Sequence, residues 1–373
     1  MKKNLVIILL LLGTLVHGQI TIIPDSNFEQ ALIDLGIDSD GVINGQVLTS
    51  DVEGVVNLAI WDKYIVDLTG IQDFAALEEL DVHYNLLTSL DLSQNMQLRI
   101  LYCGSNDLSS LDLSNNILLE TLYCGNPSID VGPFNTFTSL DLSSNTQLRF
   151  FDSDFAYWLE TINFGQNPNL EEILAYYCSL SSINFDGIPG VRVLKLGDND
   201  PWFKGAPSNN FTAIDLSGNP NITALFFLNM YLEQLNVQNG NNAILTTLDV
   251  QISPELSCIQ VDDEVAANNN EPPYNGWLTD SGVTYSEDCT LGIEDFQDRS
   301  VTIFPNPAAD ILNIDLQNDA IVKEIRVYDA LGRLVISVGA DTSQLDVSTL
   351  SPGLYLVQVK TNQGVLIQKM IKE

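Results

Sequence analysis

Histidine is almost absent from this chain. Two occur in 373 residues, and one of them, His17, falls in an N-terminal stretch that reads as a removable leader. Only His83 would remain, so a histidine zinc site is excluded by number, and a Ser-His-Asp set would have to be built on that one imidazole. His83 stands beside Tyr84 and Asn85 at a half-turn, where a solvated role is expected. No C-x-x-C pair and no glycine-rich phosphate loop occurs. Basic residues are scarce as well: 15 Lys and Arg face 49 Asp and Glu, for a formal net charge of −34. Such a body repels phosphate backbones, so no nucleic acid partner is expected; it should stay soluble in salt and attract cations or basic partners. Carboxylates are so numerous that no one pair stands out as catalytic. Long apolar runs are missing too. Leu5 to Leu12 is too short for a spanning helix and nothing longer follows, so no transmembrane segment is expected in the mature chain.

That short apolar run follows Lys2 and Lys3 and precedes Val16-His17-Gly18. Residues 1–18 therefore read as a signal peptide cut before Gln19. The acidity is unevenly spread. Gln19 to Asp298 holds 41 acidic and 6 basic residues, whereas Arg299 to Glu373 holds 8 and 7, and the change marks a domain boundary. Five cysteines, an odd number, enter an oxidising compartment. Cys258 and Cys289 flank an irregular segment and are expected to pair. Cys103 and Cys124 are expected to stay free as small buried hydrophobes. Cys178 has no evident partner.

What is present is a repeat. Leu90-Asp91-Leu92-Ser93 returns 21 residues later as Leu111-Asp112-Leu113-Ser114, and Leu101-Tyr102-Cys103-Gly104 returns as Leu122-Tyr123-Cys124-Gly125. This L-x-x-L-x-L spacing at that period is the leucine-rich-repeat signature. One unit cannot bury its own apolar side and must stack on the next. From Leu77 to Val261 the motif predicts a mainly β solenoid of about eight coils, two short strands to a coil. With strands ~4.8 Å apart the stack is roughly 35–40 Å long. Asparagines such as Asn85, Asn95, Asn106, Asn116, Asn126, Asn145, Asn167, Asn199 and Asn219 close the half-turns as scaffold. Two insertions, near Pro127 to Thr136 and Asp198 to Asn210, both follow the second strand type, so they leave the stack on one side.

The two strand types differ outward. The first presents a polar ladder, including Ser89 and Asp91, Ser110 and Asp112, and Ser139 and Asp141, whose expected partners are hydroxyls and backbone groups. The second is apolar and aromatic where solvent should be, with Tyr102, Tyr123, Phe150, Lys195 and Phe226, and the second insertion adds Trp202 and Phe203. Exposed aromatics favour interaction surfaces, so these seven residues are the ligand-binding candidates. The alternative is that the insertions fold over and cover them.

Before the repeats, Asp25-Ser26-Asn27-Phe28-Glu29 reads as a capped helix start that closes the first coil. Asp38-Ser39-Asp40-Gly41 resembles part of a calcium loop, but the places that EF-hand spacing gives to Gly and Glu hold Ile43 and Thr49. No cofactor and no metal site is expected, and a structural calcium ion is the one cofactor left open. Residues 19–76 are thus an N-terminal cap, 77–261 the solenoid, 262–290 a C-terminal cap and 291–300 a linker. In 301–373 six short strand candidates alternate with turns, which predicts a small Ig-like antiparallel β-sandwich.

The repeats resemble those of internalin-like surface proteins with a cysteine ladder. Cys103 and Cys124 match that ladder, while Ser153, Ala175, Leu196 and Phe227 replace it in later coils. The caps resemble those of secreted leucine-rich-repeat proteins of the Bacteroidetes. The tail resembles the type A C-terminal sorting domain of the type IX secretion system, through Phe304-Pro305-Asn306-Pro307-Ala308, Val327 to Arg333, Leu350 to Tyr355 and Lys369-Met370-Ile371-Lys372. Carried over on those motifs, the sorting-signal residues are Pro305, Asn306, Pro307, Gly332, Gly353, Tyr355 and Lys369. The resemblance implies handling by the type IX secretion machinery, removal of the tail, and release or attachment at the outer-membrane surface. The expected function is recognition or adhesion, non-enzymatic, with a protein or glycan ligand on the solenoid face. The alternatives are a structural surface-layer component without a discrete ligand and, third, a carboxylate-based hydrolase.

Overall fold

A computed structural model describes residues 19–126, 133–197, 209–289, 301–316, 322–329, 333–339, 343–361 and 365–373. The chain forms two units, Met1–Cys289 and Thr290–Glu373. The expected signal peptide, most of both insertions with Asn199, Trp202 and Phe203, the linker, and Gly332 lie outside the described residues.

The first unit is built on one parallel ladder of nine three-residue strands, from Asn57–Ala59 to Thr247–Asp249. Each strand buries its middle residue and turns its flanking two outward, the two-residue period of a pleated strand. The buried middles run Leu58, Leu80, Leu101, Leu122, Phe151, Ile173, Leu194, Leu225 and Leu248. Because the strands stack in register, the outward residues line up in two rows. One row holds Ala59, Asp81, Tyr102, Tyr123, Asp152, Leu174, Lys195, Phe226 and Asp249.

The ladder reaches further at both ends than the eight coils counted from the motif. Val55, Leu58 and Ile60 already follow the spacing inside the span expected as cap, and their strand pairs with Glu79–Asp81. Beyond Val261, Thr284–Ser286 adds a parallel strand to Cys258–Gln260, and Leu278 bridges to Asp249. The expected two strands per coil hold only in part. On the opposite side the strands form separate groups, Ser139–Asp141 with Thr161–Asn163, and a four-stranded set from Ala213–Asp215 to Thr284–Ser286. Leu90, Leu111 and Ile183 keep their place in the coil without strand pairing.

Asparagine amides join the coils from within. The Asn106 amide donates to the carbonyls of Val82, Cys103 and Gly104, and its oxygen accepts from Leu87 N–H at 3.0 Å. Asn135 and Asn209 do the same work after the two insertions, donating to Cys103 and Cys124, and to Ala175 and Leu196. The insertions therefore enter between a strand and its closing asparagine. On the other side Asn95, Asn116, Asn145, Asn167 and Asn219 bond carbonyls of the preceding coil. The polar ladder is tied to its own turns. Asp91, Asp112 and Asp141 accept the N–H of Ser93, Ser114 and Ser143, which holds each carboxyl below its usual range; for Asp141 the Ser143 hydroxyl leads.

At the N-terminal end Asp25 caps the helix Ser26–Asp34 through Asn27 and Phe28 N–H, and reaches Val66 and Asp67 N–H with its other oxygen. Buried Glu29 accepts the N–H groups of Asn44, Gly45 and Gln46. At the other end Cys258 and Cys289 are joined. Cys103, Cys124 and Cys178 are free and buried.

The second unit packs two antiparallel sheets, one of three strands and one of four, over Leu312, Ile325, Val327, Val357, Val359 and Met370. A seventh strand, Gln344–Asp346, joins the six expected. Asn306 holds the last strand from both sides: its amide donates to Lys369 O at 2.6 Å and its oxygen accepts Ile371 N–H at 2.8 Å. Tyr355 is buried, with its hydroxyl donating to Ser351 O.

Candidate functional site

The site lies where the nine-stranded sheet hands its chain to the following turns. In each coil the residue one place past the strand points inward. This slot holds Ile60, Val82, Cys103, Cys124, Ser153, Ala175, Leu196, Phe227 and Val250, all fully buried. The next place forms another row across neighbouring coils: Trp61, His83, Gly104, Gly125, Asp154. Among the described residues the place after that is left-handed in seven coils, at Asp62, Tyr84, Ser105, Phe155, Tyr177, Asn229 and Ile252, with φ between 52° and 59°. Non-glycine residues adopt this backbone at a cost of ~1–2 kcal/mol each, so the stack must hold it. In the coil of Tyr123 the same place is Asn126, where the first insertion starts.

Two consecutive glycines in one row open a gap. A side chain there is barred by backbone: a Cβ on Gly104 would lie 1.9 Å from Gly125 O, and one on Gly125 would lie 2.3 Å from Asp154 O. The result is a cavity of about 250 Å³. His83 bounds it on one side and Asp154 on the other, Tyr102 and Tyr123 line its sheet wall, and Tyr84 and Phe155 line it from the left-handed turns.

The aromatics around it form two stacked groups. The rings of Tyr102 and Tyr123 stack with centroids 4.6 Å apart, and Phe150 continues from Tyr123 at 4.7 Å. Trp61 stacks on His83 at 5.4 Å, and His83 meets Tyr84 at 5.0 Å. His83 Nδ1 also pairs with Asp81 Oδ1. His83 keeps about 32% of its side chain exposed at this half-turn while stacking between Trp61 and Tyr84, because adjacent coils stack this slot.

The opposite end is acidic. Asp154 N–H donates to Asp152 Oδ1 at 2.9 Å, and Tyr176 N–H to Asp154 Oδ1 at 2.8 Å. Burial, then the neighbouring Asp152 charge, pushes the Asp154 carboxyl up to about 7. Burial also raises Asp152, against the Asp154 N–H and the charge of Lys195. Tyr102 and Tyr123 are raised, first by burial and then by acidic and tyrosine neighbours. The arrangement can stack flat groups and accept hydrogen bonds from donors.

Of the residues expected here, Tyr102, Tyr123 and Phe150 come together. Lys195 and Phe226 form a separate pair, the ammonium 5.4 Å from the ring centre. From Tyr123 to Lys195 is three strand steps, about 14 Å along the ladder. Trp202 and Phe203 lie outside the described residues. Trp61, His83, Tyr84, Asp154 and Phe155 escaped the strand-based reading because they sit in turns. A signal existed: glycine twice at one repeat position, flanked there by His and Asp.

Residues 302–373 match the secretion system C-terminal sorting domain. Among solved structures the chain is similar to the functional domain of InlJ from Listeria monocytogenes, which includes a cysteine ladder, at 17% identity, with 95% of this chain and 99% of that one covered and a TM-score of 0.37. It is also similar to internalin C2 from the same organism, at 16% identity over 71% of this chain and 95% of that one, with a TM-score of 0.40. An ulvan lyase from Nonlabens ulvanivorans is 26% identical over 103 residues, which are 27% of this chain and only 19% of that protein. The tail directs the chain to secretion or to attachment at the outer-membrane surface. Among the described residues no helix is long and apolar enough to cross a membrane.

Proposed function

We propose that this secreted or surface-attached protein is a non-enzymatic recognition module that binds a protein or glycan through the outward face of its nine-stranded sheet. One observation carries the reading: three successive coils present Tyr102, Tyr123 and Phe150 as a half-buried stack beside a cavity of about 250 Å³. Half-buried aromatics next to a concavity give a partner apolar area at little entropic cost. The turns add His83, Tyr84 and Phe155 to the same rim. The type IX machinery is the proposed handler of the tail, and Asn306 and Tyr355 maintain the fold of that unit through the bonds described above.

A protein and glycan array probed with the purified chain tests this. A discrete ligand bound in the micromolar range or tighter, and lost in the Tyr102→Ser, Tyr123→Ser double variant, is the expected result. Concentration-dependent self-association without such a ligand would instead indicate a structural surface-layer role. Turnover of a polysaccharide, abolished by Asp154→Asn, would overturn the non-enzymatic reading.

A further inference from the structure

We propose that the cavity between His83 and Asp154 receives a cationic side chain, arginine or lysine, from a basic segment of a protein partner. This rests on the recognition face above and names the chemistry of its ligand.

Shape and charge both point there. The cavity, at about 250 Å³, falls below the ~300–1,000 Å³ of ordinary small-molecule sites, so it suits one side chain better than several sugar rings. Tyr102, Tyr123 and Phe155 line it with apolar ring carbon, against which the methylene stem of a long cationic side chain can pack. Asp152 and Asp154 close one end. One oxygen of each is held by a backbone N–H, which leaves a second on each to accept from a donor fork.

Among the described residues, little positive charge is supplied to this pair. Arg99 pairs with Glu120, and Arg149 and Arg192 both lie against Glu171. Lys195 is two strand steps from Asp152, about 10 Å along the ladder, with its ammonium over Phe226. A neutral sugar could pack beside the rings but would bring no positive charge to the Asp152–Asp154 pair. An anionic one would be repelled by a body with 41 acidic and 6 basic residues. The same field concentrates basic partners and speeds their encounter.

Binding a cation here releases a proton. Asp154 stands at about 7, so a bound positive charge expels its proton and affinity rises from pH 6 to pH 8. The groups around Asp154 are Asp152 on its own coil, Tyr123 and His83 across the cavity, and the buried Cys178 thiol and Lys195 toward the other end. In the Asp154→Asn variant this rise with pH should disappear.

The test is calorimetric titration of the full chain with acetyl-Gly-Arg-Gly-amide, its neutral citrulline counterpart, and a neutral oligosaccharide. The arginine peptide should bind at least about tenfold more tightly than the citrulline one, with the preference lost in the Asp152→Asn, Asp154→Asn variant and weakened by salt. Equal binding of the two peptides, no binding of either, or an unchanged preference in the double variant overturns the proposal. The citrulline comparison needs no variant and so does not depend on folding. If the oligosaccharide binds through Tyr102 and Tyr123 while the arginine peptide does not bind, the cation pocket falls and the recognition face stands. If the arginine preference survives the Tyr102→Ser, Tyr123→Ser substitutions, the aromatic face falls and the acidic pocket stands.

Discussion

The ring of Tyr102 lies against the ring of Tyr123, with planes 13° from parallel. The two residues are direct partners in a parallel pair of strands, so the strand spacing itself sets their stacking distance. The contact is thus a property of the coil stack, and it holds a flat aromatic surface that no single coil could make.

Removing both rings should alter binding far more than stability. The Tyr102→Ser, Tyr123→Ser variant is expected to lose ligand capture while its unfolding free energy falls by about 2–4 kcal/mol, the share of two half-buried, mutually stacked side chains. Thermal unfolding beside a binding assay checks this. A large loss of stability with binding intact would make the pair part of the core.

Acidity should stabilise the first unit. The Asp154 carboxyl is raised from 3.8 to about 7 in the folded state, so between those values the folded chain binds more protons than the unfolded one. Stability is therefore greatest near the lower value and falls as pH rises toward 7. Asp152 contributes in the same direction. Asp91, Asp112 and Asp141 have the opposite sign, but their lowered carboxyls matter only as pH falls below the ordinary aspartate value. Asp154→Asn should raise stability at pH 8 by on the order of 1–3 kcal/mol, allowing for partial solvent screening, and flatten the profile between pH 5 and 8. Denaturant midpoints measured across that range decide it.

The asparagine ladder should be unforgiving. Asn106→Ala leaves the buried Leu87 N–H without its acceptor and takes one of two amide donors from the carbonyls of Val82 and Cys103, which keep Asn85 and Asn135. A cost of about 1–3 kcal/mol is expected in chemical denaturation. Asn135→Ala and Asn209→Ala should behave alike, although both lie beyond insertions that hide their repeat position.

Gly125→Ala should disturb the fold and the cavity together. Its Cβ would meet Asp154 O and N at 2.3 and 2.5 Å, which forces two backbones apart. A loss of about 1–3 kcal/mol is expected, together with weaker ligand capture. Alanine at Gly54, where no atom lies within 4 Å and φ is not left-handed, controls for the loss of a glycine without the clash.

Much of this was legible from residues alone. A period of about 21 residues with leucine or another apolar residue at most inward positions permits only a stack of coils, because one coil cannot bury its own apolar side. Alternation within each three-residue strand then determines which side chains face outward, so Tyr102, Tyr123 and Phe150 could be grouped without coordinates. Cys258 and Cys289, the scaffold role of most asparagines and the motifs of the tail were equally local, since each depends on spacing along the chain.

Tertiary structure decided the rest. Periodicity assigns directions inside a strand, but in the turns a side chain's direction depends on φ, and the left-handed residues turn Tyr84 and Phe155 onto the cavity rim. The gap between His83 and Asp154 needs two coils stacked so closely that only glycine fits, a contact between chain segments about one repeat apart. The raised carboxyl of Asp154 likewise comes from burial against neighbouring coils. The sequence by itself determined the solenoid and its aromatic face, because both follow from repeat spacing. The cavity and its charge were decided by the stacking of coils, because they depend on distances between residues that no single repeat contains.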